Sequence, residues 1–358
     1  MDEQNYQDSL EIMEALRQRH GGSIDFMAPE TVPTGSASTA FAPVEGGEEA
    51  FDLLNAADAT PHTKRQRQAM EYIVRTVTDN PNTKAGPGTK RLRLLLHGPG
   101  GCGKSVVVRA AAHMLRQSGK GVAMAAPTGV AACNINGLTL HQCLFLPVVN
   151  RSHGRACDAP LPRGPHLASM QEFWAHISVL IVDELSFISR FMLDRIDQHL
   201  RLARNLPDIP FGGVHVVFAG DLYQLPPPGG DPCFCSSLWT SLELCELEGN
   251  QRAAEDPEWA ALLARARVGK WTDADIEILR GLKIRRDGKD HVAEGAVHLF
   301  ATRQAVSEEN QRYLDQHLEK TQAELHECPA IDVSVKTGAP LKPELACDKS
   351  SSGQESQR

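Results

Sequence analysis

The residues best equipped for chemistry stand together at Gly98-Pro99-Gly100-Gly101-Cys102-Gly103-Lys104-Ser105, the pattern of a glycine-rich phosphate loop that closes on Lys-Ser. Glycines let successive backbone N–H groups turn toward one anion, and a helix opening at the end of the loop adds the positive end of its dipole. Lys104 is then expected to reach the β- and γ-phosphates of ATP, with the Ser105 hydroxyl on Mg²⁺. Gly98, Pro99, Gly100, Gly101, Cys102 and Gly103 line the phosphates, and Cys102, at a variable position of the pattern, reads as a bystander thiol.

Further along, the apolar run Leu180-Ile181-Val182 ends in Asp183-Glu184. Paired carboxylates at a strand end are commonly just solvated. Downstream of a phosphate loop, Asp183 is instead expected to hold Mg²⁺ and Glu184 to polarise the attacking water. A third block, Gly220-Asp221-Leu222-Tyr223-Gln224-Leu225-Pro226-Pro227-Pro228, follows another apolar run. The amide of Gln224 can hydrogen-bond a γ-phosphate or the attacking water, and the prolines stiffen the exit from that position. A proline-rich turn capping a strand is the bland alternative.

These blocks must be held by a common frame. Leu92–Leu96, Val179–Val182, Val214–Ala219 and, more weakly, Val122–Ala126 are short apolar runs closed by loops. They alternate with helical stretches such as Ser105–Gln117 and Arg190–Arg204. That alternation predicts an α/β fold, a parallel sheet with helices on both faces, whose ligands sit at the carboxyl ends of the strands. The formal net charge of −8 denies the molecule an overall basic footprint, so any nucleic-acid contact must use a local cleft. Nine cysteines at irregular spacings suggest a reducing compartment. No apolar run approaches the roughly 18 residues of a membrane span, and the acidic start Met1-Asp2-Glu3 is unlike a targeting peptide. The expectation is a soluble intracellular protein without a membrane partner, nuclear if its source is eukaryotic, with the mitochondrion also open.

The block GDxxQLPP resembles the third motif of superfamily 1 helicases, specifically the Pif-type and RecD-like enzymes, and other segments match in order. Ala126-Pro127-Thr128-Gly129-Val130-Ala131-Ala132, with Gly137 and Thr139-Leu140-His141 after it, resembles the family segment that contacts single-stranded DNA. The resemblance makes Pro127, Thr128 and His141 candidate DNA contacts; apart from it, His141 reads as a packed loop histidine. Asp183-Glu184-Leu185-Ser186 is similar to the family's DExS motif, and Met192–Gly213, with Phe211-Gly212-Gly213, to its signature segment. Gln66 stands where the Q motif reads adenine, although the Leu-Asn pair of that motif lies further off, at Leu54-Asn55. Leu247-Glu248-Gly249-Asn250-Gln251-Arg252 resembles the motif whose arginine, here Arg252, reaches the γ-phosphate. Val297–Arg303 looks like the first strand of a second RecA-like domain, with Arg303 where the family usually has Asn.

The resemblance implies a RecA-like P-loop ATPase that couples ATP hydrolysis to 5′-to-3′ translocation on single-stranded DNA and to unwinding of partly duplex DNA. It implies roles in DNA repair, recombination and telomere maintenance. Composition and patterning predict a weakly helical or disordered segment at 1–51, including a helix at Asp8–Arg19 and a linker at 21–49. A first motor domain at 52–295 would follow, then the start of a second at 296–320 and a polar tail at 321–358. Two helices, Asp256–Arg267 and Asp273–Leu282, are expected behind the motor, with Trp259, Leu262 and Leu263 as a buried stripe. Residues 143–170 read equally as an inserted subdomain or a mobile surface loop. The later motifs of the second motor half are missing from the sequence. A chain truncated after the start of that half is therefore expected to need a partner or the missing half, and its oligomeric state is open. Two alternatives remain: a non-catalytic nucleotide- or DNA-binding module acting in a complex, and a small-molecule kinase, which would leave Ala126–His141 and Gly220–Pro228 unexplained.

Overall fold

The computed structural model describes residues 44–56, 60–80, 90–146, 161–281 and 297–326, in two compact units that divide between Asp275 and Ile276. The expected helix at 8–19, the linker up to residue 43, the middle of the 143–170 segment and the tail from residue 327 lie outside the described residues.

In the first unit, α1 (Gly47–Asn55) and α2 (Pro61–Asp79) precede β1 (Arg93–His97), α3 (Lys104–Gln117), β2 (Gly121–Ala126) and α4 (Gly129–Asn134). Next come β3 (Leu138–Thr139), α5 (Leu140–Cys143), α6 (Gly164–Ala175), β4 (Ile177–Val182) and α7 (Arg190–Arg204). The last elements are β5 (His215–Gly220), β6 (Glu243–Glu246), α8 (Pro257–Arg267) and α9 (Asp273–Gly281), which runs across the division. All six strands pair in parallel, in the order β3-β2-β4-β5-β1-β6. Their carboxyl ends therefore share one edge, and the phosphate loop, the Asp-Glu pair and the Gln224 block all leave from it.

Alternation along each strand splits the core into two layers. Leu94, Leu96, Val179, Ile181, Val217 and Ala219 pack with residues of α1, α2 and α3. Leu95, Leu180, Val182, Val216 and Phe218 face Trp174, Leu193, Ile196, Leu200 and Phe211. Covered on both faces, these strands need apolar side chains at every position, which is why they read as unbroken runs in the sequence.

Two fastenings set the edge opposite the site. His215 opens β5 fully buried, its Nδ1 accepting the Leu92 N–H at 3.0 Å and its Nε2 lying 2.9 Å from the Asn80 carbonyl. The proton must then sit on Nε2, so a neutral imidazole ties the end of α2 to two strands. Helix α7 starts on Ser189, whose hydroxyl accepts the Met192 N–H at 3.2 Å. It returns to β5 through Phe211-Gly212-Gly213, all at positive φ (54°, 56° and 72°). Asp197 on α7 accepts the Phe211 N–H at 2.5 Å, and a Cβ on Gly212 would run into the Leu200 carbonyl. The signature-like segment thus joins a helix to a strand.

Several expectations are corrected. The fold begins before residue 52: Val44, Ala50 and Leu54 are buried in the α1–α3 layer, because the apolar side of α1 covers the phosphate-loop helix. The described ends of 143–170 reach into the core, with Cys143, Leu144 and Met170 fully buried. Of the stripe expected on α8, only Leu262 is buried; Trp259 is half-buried and Leu263 is exposed. Leu54 is core, and the Asn55 amide donates to the Phe51 carbonyl of its own helix.

In the second unit the described residues from 297 on form a short irregular stretch and α10 (Arg303–Thr321), whose N-cap Thr302 accepts the Ala305 N–H. His298 lies 3.0 Å from Glu309, which also pairs with Arg312. The expected strand Val297–Arg303 is absent: residues 297–300 pair with no strand among the described residues, and Arg303 opens the helix. A lone strand cannot satisfy its backbone groups, and with Val297 and Leu299 86% and 92% exposed no packing compensates. Among the described residues no helix is long and apolar enough to cross a membrane.

Candidate nucleotide-binding site

The phosphate loop leaves β1 between two neighbours. The Gly98 N–H donates to the Gly220 carbonyl at 3.3 Å, and a Cβ on Gly98 would stand 2.5 Å from the Leu247 carbonyl oxygen. Gly101 and Gly103 take φ of 81° and 85°, the left-handed region where a side chain is strained. They are also sterically committed: a Cβ on Gly101 would strike Asn250 and crowd Arg252, and one on Gly103 would strike the Gln66 amide. The Gln251 N–H closes the contact by donating to the Gly101 carbonyl at 3.0 Å. The glycines of the motif thus make the turn and admit the elements that brace it.

Helix α3 starts at Lys104 with Gly103 as its N-cap, so the first N–H groups of a 14-residue helix lack helical acceptors at the loop. Lys104 Nζ donates to the Gly98 and Pro99 carbonyls at 2.7 and 3.0 Å, which folds the ammonium back over the loop. The Ser105 hydroxyl lies beside the Asp183 carboxylate. Asp183 is 8% exposed. Burial pushes its pKa up, against the Glu184 N–H, the charges of Lys104 and Arg109, and the Ser105 hydroxyl. A hydroxyl and a desolvated carboxylate in contact are hard oxygen donors of the kind Mg²⁺ takes, and the residues fit that ion.

Glu184 sits in the left-handed region (φ 58°, ψ 49°) although it is not glycine. Asp183 accepts its N–H at 2.9 Å, and its own carbonyl accepts the Phe187 N–H at 3.1 Å, so the turn over-determines the conformation. Burial raises the Glu184 pKa, and the charges of Asp183 and Asp221 add to this against Lys104 and Arg252. Gln224 is exposed, and its amide nitrogen comes 3.8 Å from where a Cβ on Gly100 would be. Arg252 follows the Asn250 cap, whose side chain accepts the Arg252 N–H at 3.1 Å. The structure therefore brings Lys104, Ser105, Asp183, Glu184, Gln224 and Arg252 to one loop.

Gln66 also meets this loop, but from beneath. It is 2% exposed, donates to the Cys102 carbonyl at 2.9 Å and lies 2.8 Å from His62 Nε2. In this arrangement it braces the phosphate loop. Cys102 is fully buried, with burial raising its thiol pKa. Pro127, Thr128 and His141 gather elsewhere on the same sheet edge. Ala126 and Thr139 are partners across β2 and β3, which sets Pro127-Thr128 beside Leu140-His141. Thr128 caps α4 through the Ala131 N–H at 3.2 Å, Thr139 forms a capping box with Gln142, and Thr128 and His141 are both exposed.

Reading the sequence missed the residues that support the site: His62 and Asn250, and His97 and Arg267, which hold Asp221. Asp221 is 2% exposed and accepts two hydrogen bonds from Arg267, at 2.7 and 2.8 Å. Burial opposes its ionisation, yet the His97 imidazole beside it and the Arg267 guanidinium bonded to both its oxygens hold its carboxyl well below the usual carboxylate range. No spacing rule links Asp221 to an arginine 46 residues on.

The PIF1-like helicase family model matches residues 63–261, more than half of the chain. Over 228 residues the chain is 32% identical to an ATP-dependent DNA helicase PIF1 of Emericella nidulans, covering 60% of this chain and 29% of that protein. Among solved structures, Pif1 of Bacteroides sp in complex with ADP-AlF4 matches at 26% identity and a TM-score of 0.52, over 69% of this chain and 56% of that one. Bacteroides Pif1 bound to ssDNA matches at 26% identity and a TM-score of 0.52, over 68% and 55%. The chain thus spans less than a third of the curated relative and just over half of these two structures. With the match running from Gln66 through the Arg252 turn, and so over every residue that converges on the phosphate loop, the chain belongs to the PIF1-like helicase family.

Proposed function

We propose that this chain carries the ATP-hydrolysing half of a DNA helicase motor, driven by Mg²⁺·ATP and stimulated by single-stranded DNA. The observation that carries this reading is the convergence of Lys104, the Ser105–Asp183 contact, Glu184, Gln224 and Arg252 on one phosphate loop. A Bacteroides relative of the same fold has been solved with ADP-AlF4 and with ssDNA, which supports both ligands here.

Ser105 and Asp183 would hold Mg²⁺, and the ion, when bound, neutralises charge on the β- and γ-phosphates. Lys104 turns from the loop carbonyls to the phosphate oxygens. Glu184, its basicity raised by burial and by the neighbouring carboxylates, accepts a proton from the water that attacks the γ-phosphorus as the bond to the β-phosphate oxygen breaks. Gln224 orients that water or the γ-phosphate, and Arg252 meets the charge that develops in transfer. Thr128 and His141, exposed with half-buried Pro127 on the same edge, take the strand through backbone and side-chain donors to phosphate. Translocation from 5′ to 3′ and the unwinding of partly duplex DNA complete the reading at the scale of the whole motor.

The test is steady-state ATP turnover with and without single-stranded DNA. Turnover that rises with DNA, and falls in Glu184→Gln by about 10² to 10⁴ while nucleotide still binds, supports the motor. Nucleotide binding with no turnover in either condition would contradict it in favour of the non-catalytic module.

A further inference from the structure

Three residues, Asp221, Leu222 and Tyr223, separate the end of β5 from Gln224, and each is held by something outside the loop. Asp221 takes a two-pronged hydrogen bond from Arg267 and lies 3.5 Å from His97 Nε2. The Leu222 N–H lies 3.4 Å from that same imidazole nitrogen. Tyr223 is covered on one side by the Arg267 guanidinium, 4.3 Å from the ring centre, and meets the His97 ring edge-on at 5.6 Å. Its N–H, and that of Gln224, return to Asp221, at 3.2 Å to the carboxylate and 3.0 Å to the carbonyl. His97 in turn sits 3.4 Å from Glu246 at the end of β6. The root of Gln224 is therefore clamped between β1, β6 and the last residue of α8.

Helix α8 begins at Pro257, shortly after the 3-10 turn Gln251–Ala253 that carries Arg252, and ends at Arg267. Its 11 residues make a rod about 16 Å long. One end follows the arginine that crowds Gly101, and the other grips the residue from which the sensor loop departs. The apolar anchoring of α8 is slight, since Leu262 is its one buried residue. The ion pair at its end is thus a large part of what fixes the helix to the sheet edge. A guanidinium suits this task because its planar fork fills both carboxylate oxygens while its face stacks on the ring, which an ammonium cannot do.

We propose that Arg267 is a positioning residue for the γ-phosphate sensor: through Asp221 and Tyr223 it sets Gln224 against the phosphate loop, and through α8 it ties that setting to Arg252. This rests on the ATP site proposed above. Arg267 touches no reacting atom, so its effect passes through Gln224 and shows as discrimination between tri- and diphosphate.

Fluorescence titration with a labelled ADP and with a labelled non-hydrolysable ATP analogue, both with Mg²⁺, tests this without requiring turnover. In Arg267→Met, ADP affinity stays within about twofold of wild type while analogue affinity falls about tenfold, the effect of losing one hydrogen bond to a charged group. Gln224→Ala gives the same pattern, and Arg267→Met adds nothing further in that background. Equal loss of both ligands, or a full additional loss in the double variant, would overturn the proposal and leave Arg267 as a fold contact. Should circular dichroism show that Arg267→Met does not fold, Arg267→Lys and Asp221→Asn are judged by the same criterion. A wild-type chain that binds neither nucleotide would overturn the ATP site and this proposal together. Wild-type discrimination that persists in the variants would overturn this proposal alone.

Discussion

At the scale of residues, the proposed site separates groups assigned to the nucleotide from groups that hold them in place. Lys104, Ser105, Asp183, Glu184, Gln224 and Arg252 belong to the first kind; Gln66, His97, Asn250 and Arg267 belong to the second. The first kind was legible in the sequence because each occupies a fixed offset within a short local pattern. The second was not, because its members meet the loop only after distant strands and helices are assembled. Gln66 shows the limit clearly: its place in the sequence suggested a reader of adenine, while its buried amide lies on the Cys102 carbonyl. Arg252→Ala is expected to lower ATP turnover by about 10³ or more, the range seen when an arginine at a transferring phosphoryl group is removed. ADP binding should change little, because that charge develops in transfer. A stopped-flow or coupled ATPase assay beside an ADP titration checks both halves, and an unchanged turnover would remove Arg252 from the site.

At the scale of elements, the apolar runs located four of the six strands to within about two residues, since strands buried on both faces admit little else. The two edge strands, β3 and β6, escaped notice: Leu138–Thr139 is two residues long and Glu243–Glu246 carries a glutamate at each end. The strand that the resemblance implied at Val297–Arg303 is not formed: among the described residues it has no strand to pair with. Gly212 combines positive φ with direct approach to the Leu200 carbonyl, so Gly212→Ala should destabilise the fold by about 1 to 3 kcal/mol in urea denaturation. His215 makes a prediction about pH. Burial lowers its pKa to about 4, against a smaller raising effect of the Asn80 carbonyl. Between about 4 and 6.5 the unfolded chain binds the proton that the folded chain refuses. The stability His215 contributes is therefore complete above about pH 6.5 and is lost as pH falls through 4, a change of at most about 3 kcal/mol. Denaturation midpoints from pH 7 to pH 4 should fall, and fall less steeply in His215→Gln; equal slopes would contradict the neutral clip.

At the scale of the whole molecule, a parallel sheet puts every strand's carboxyl end on one edge, so nucleotide chemistry and the candidate strand contacts share a single frame. The phosphate loop and the Asp-Glu pair leave β1 and β4, while Pro127-Thr128 and His141 follow β2 and β3 on the same edge. With a net charge of −8, the proposed DNA binding needs a local cleft, and this edge is its candidate. Its affinity should fall steeply with salt as condensed counterions are released. Thr128→Ala and His141→Ala together should weaken single-stranded DNA binding without altering ADP affinity, as read by fluorescence anisotropy. A double variant that binds DNA as wild type does would move the strand elsewhere. The claim on which the rest depends is that Gly98–Ser105 is a working Mg²⁺·ATP site, and the most direct measurement is nucleotide titration of wild type, Lys104→Ala and Glu184→Gln with and without Mg²⁺. The predicted result is Mg²⁺-dependent ATP binding in wild type and Glu184→Gln, weakened at least about tenfold in Lys104→Ala by loss of a charged hydrogen bond to phosphate. Lys104→Ala binding ATP as tightly as wild type, or binding indifferent to Mg²⁺ throughout, would contradict it.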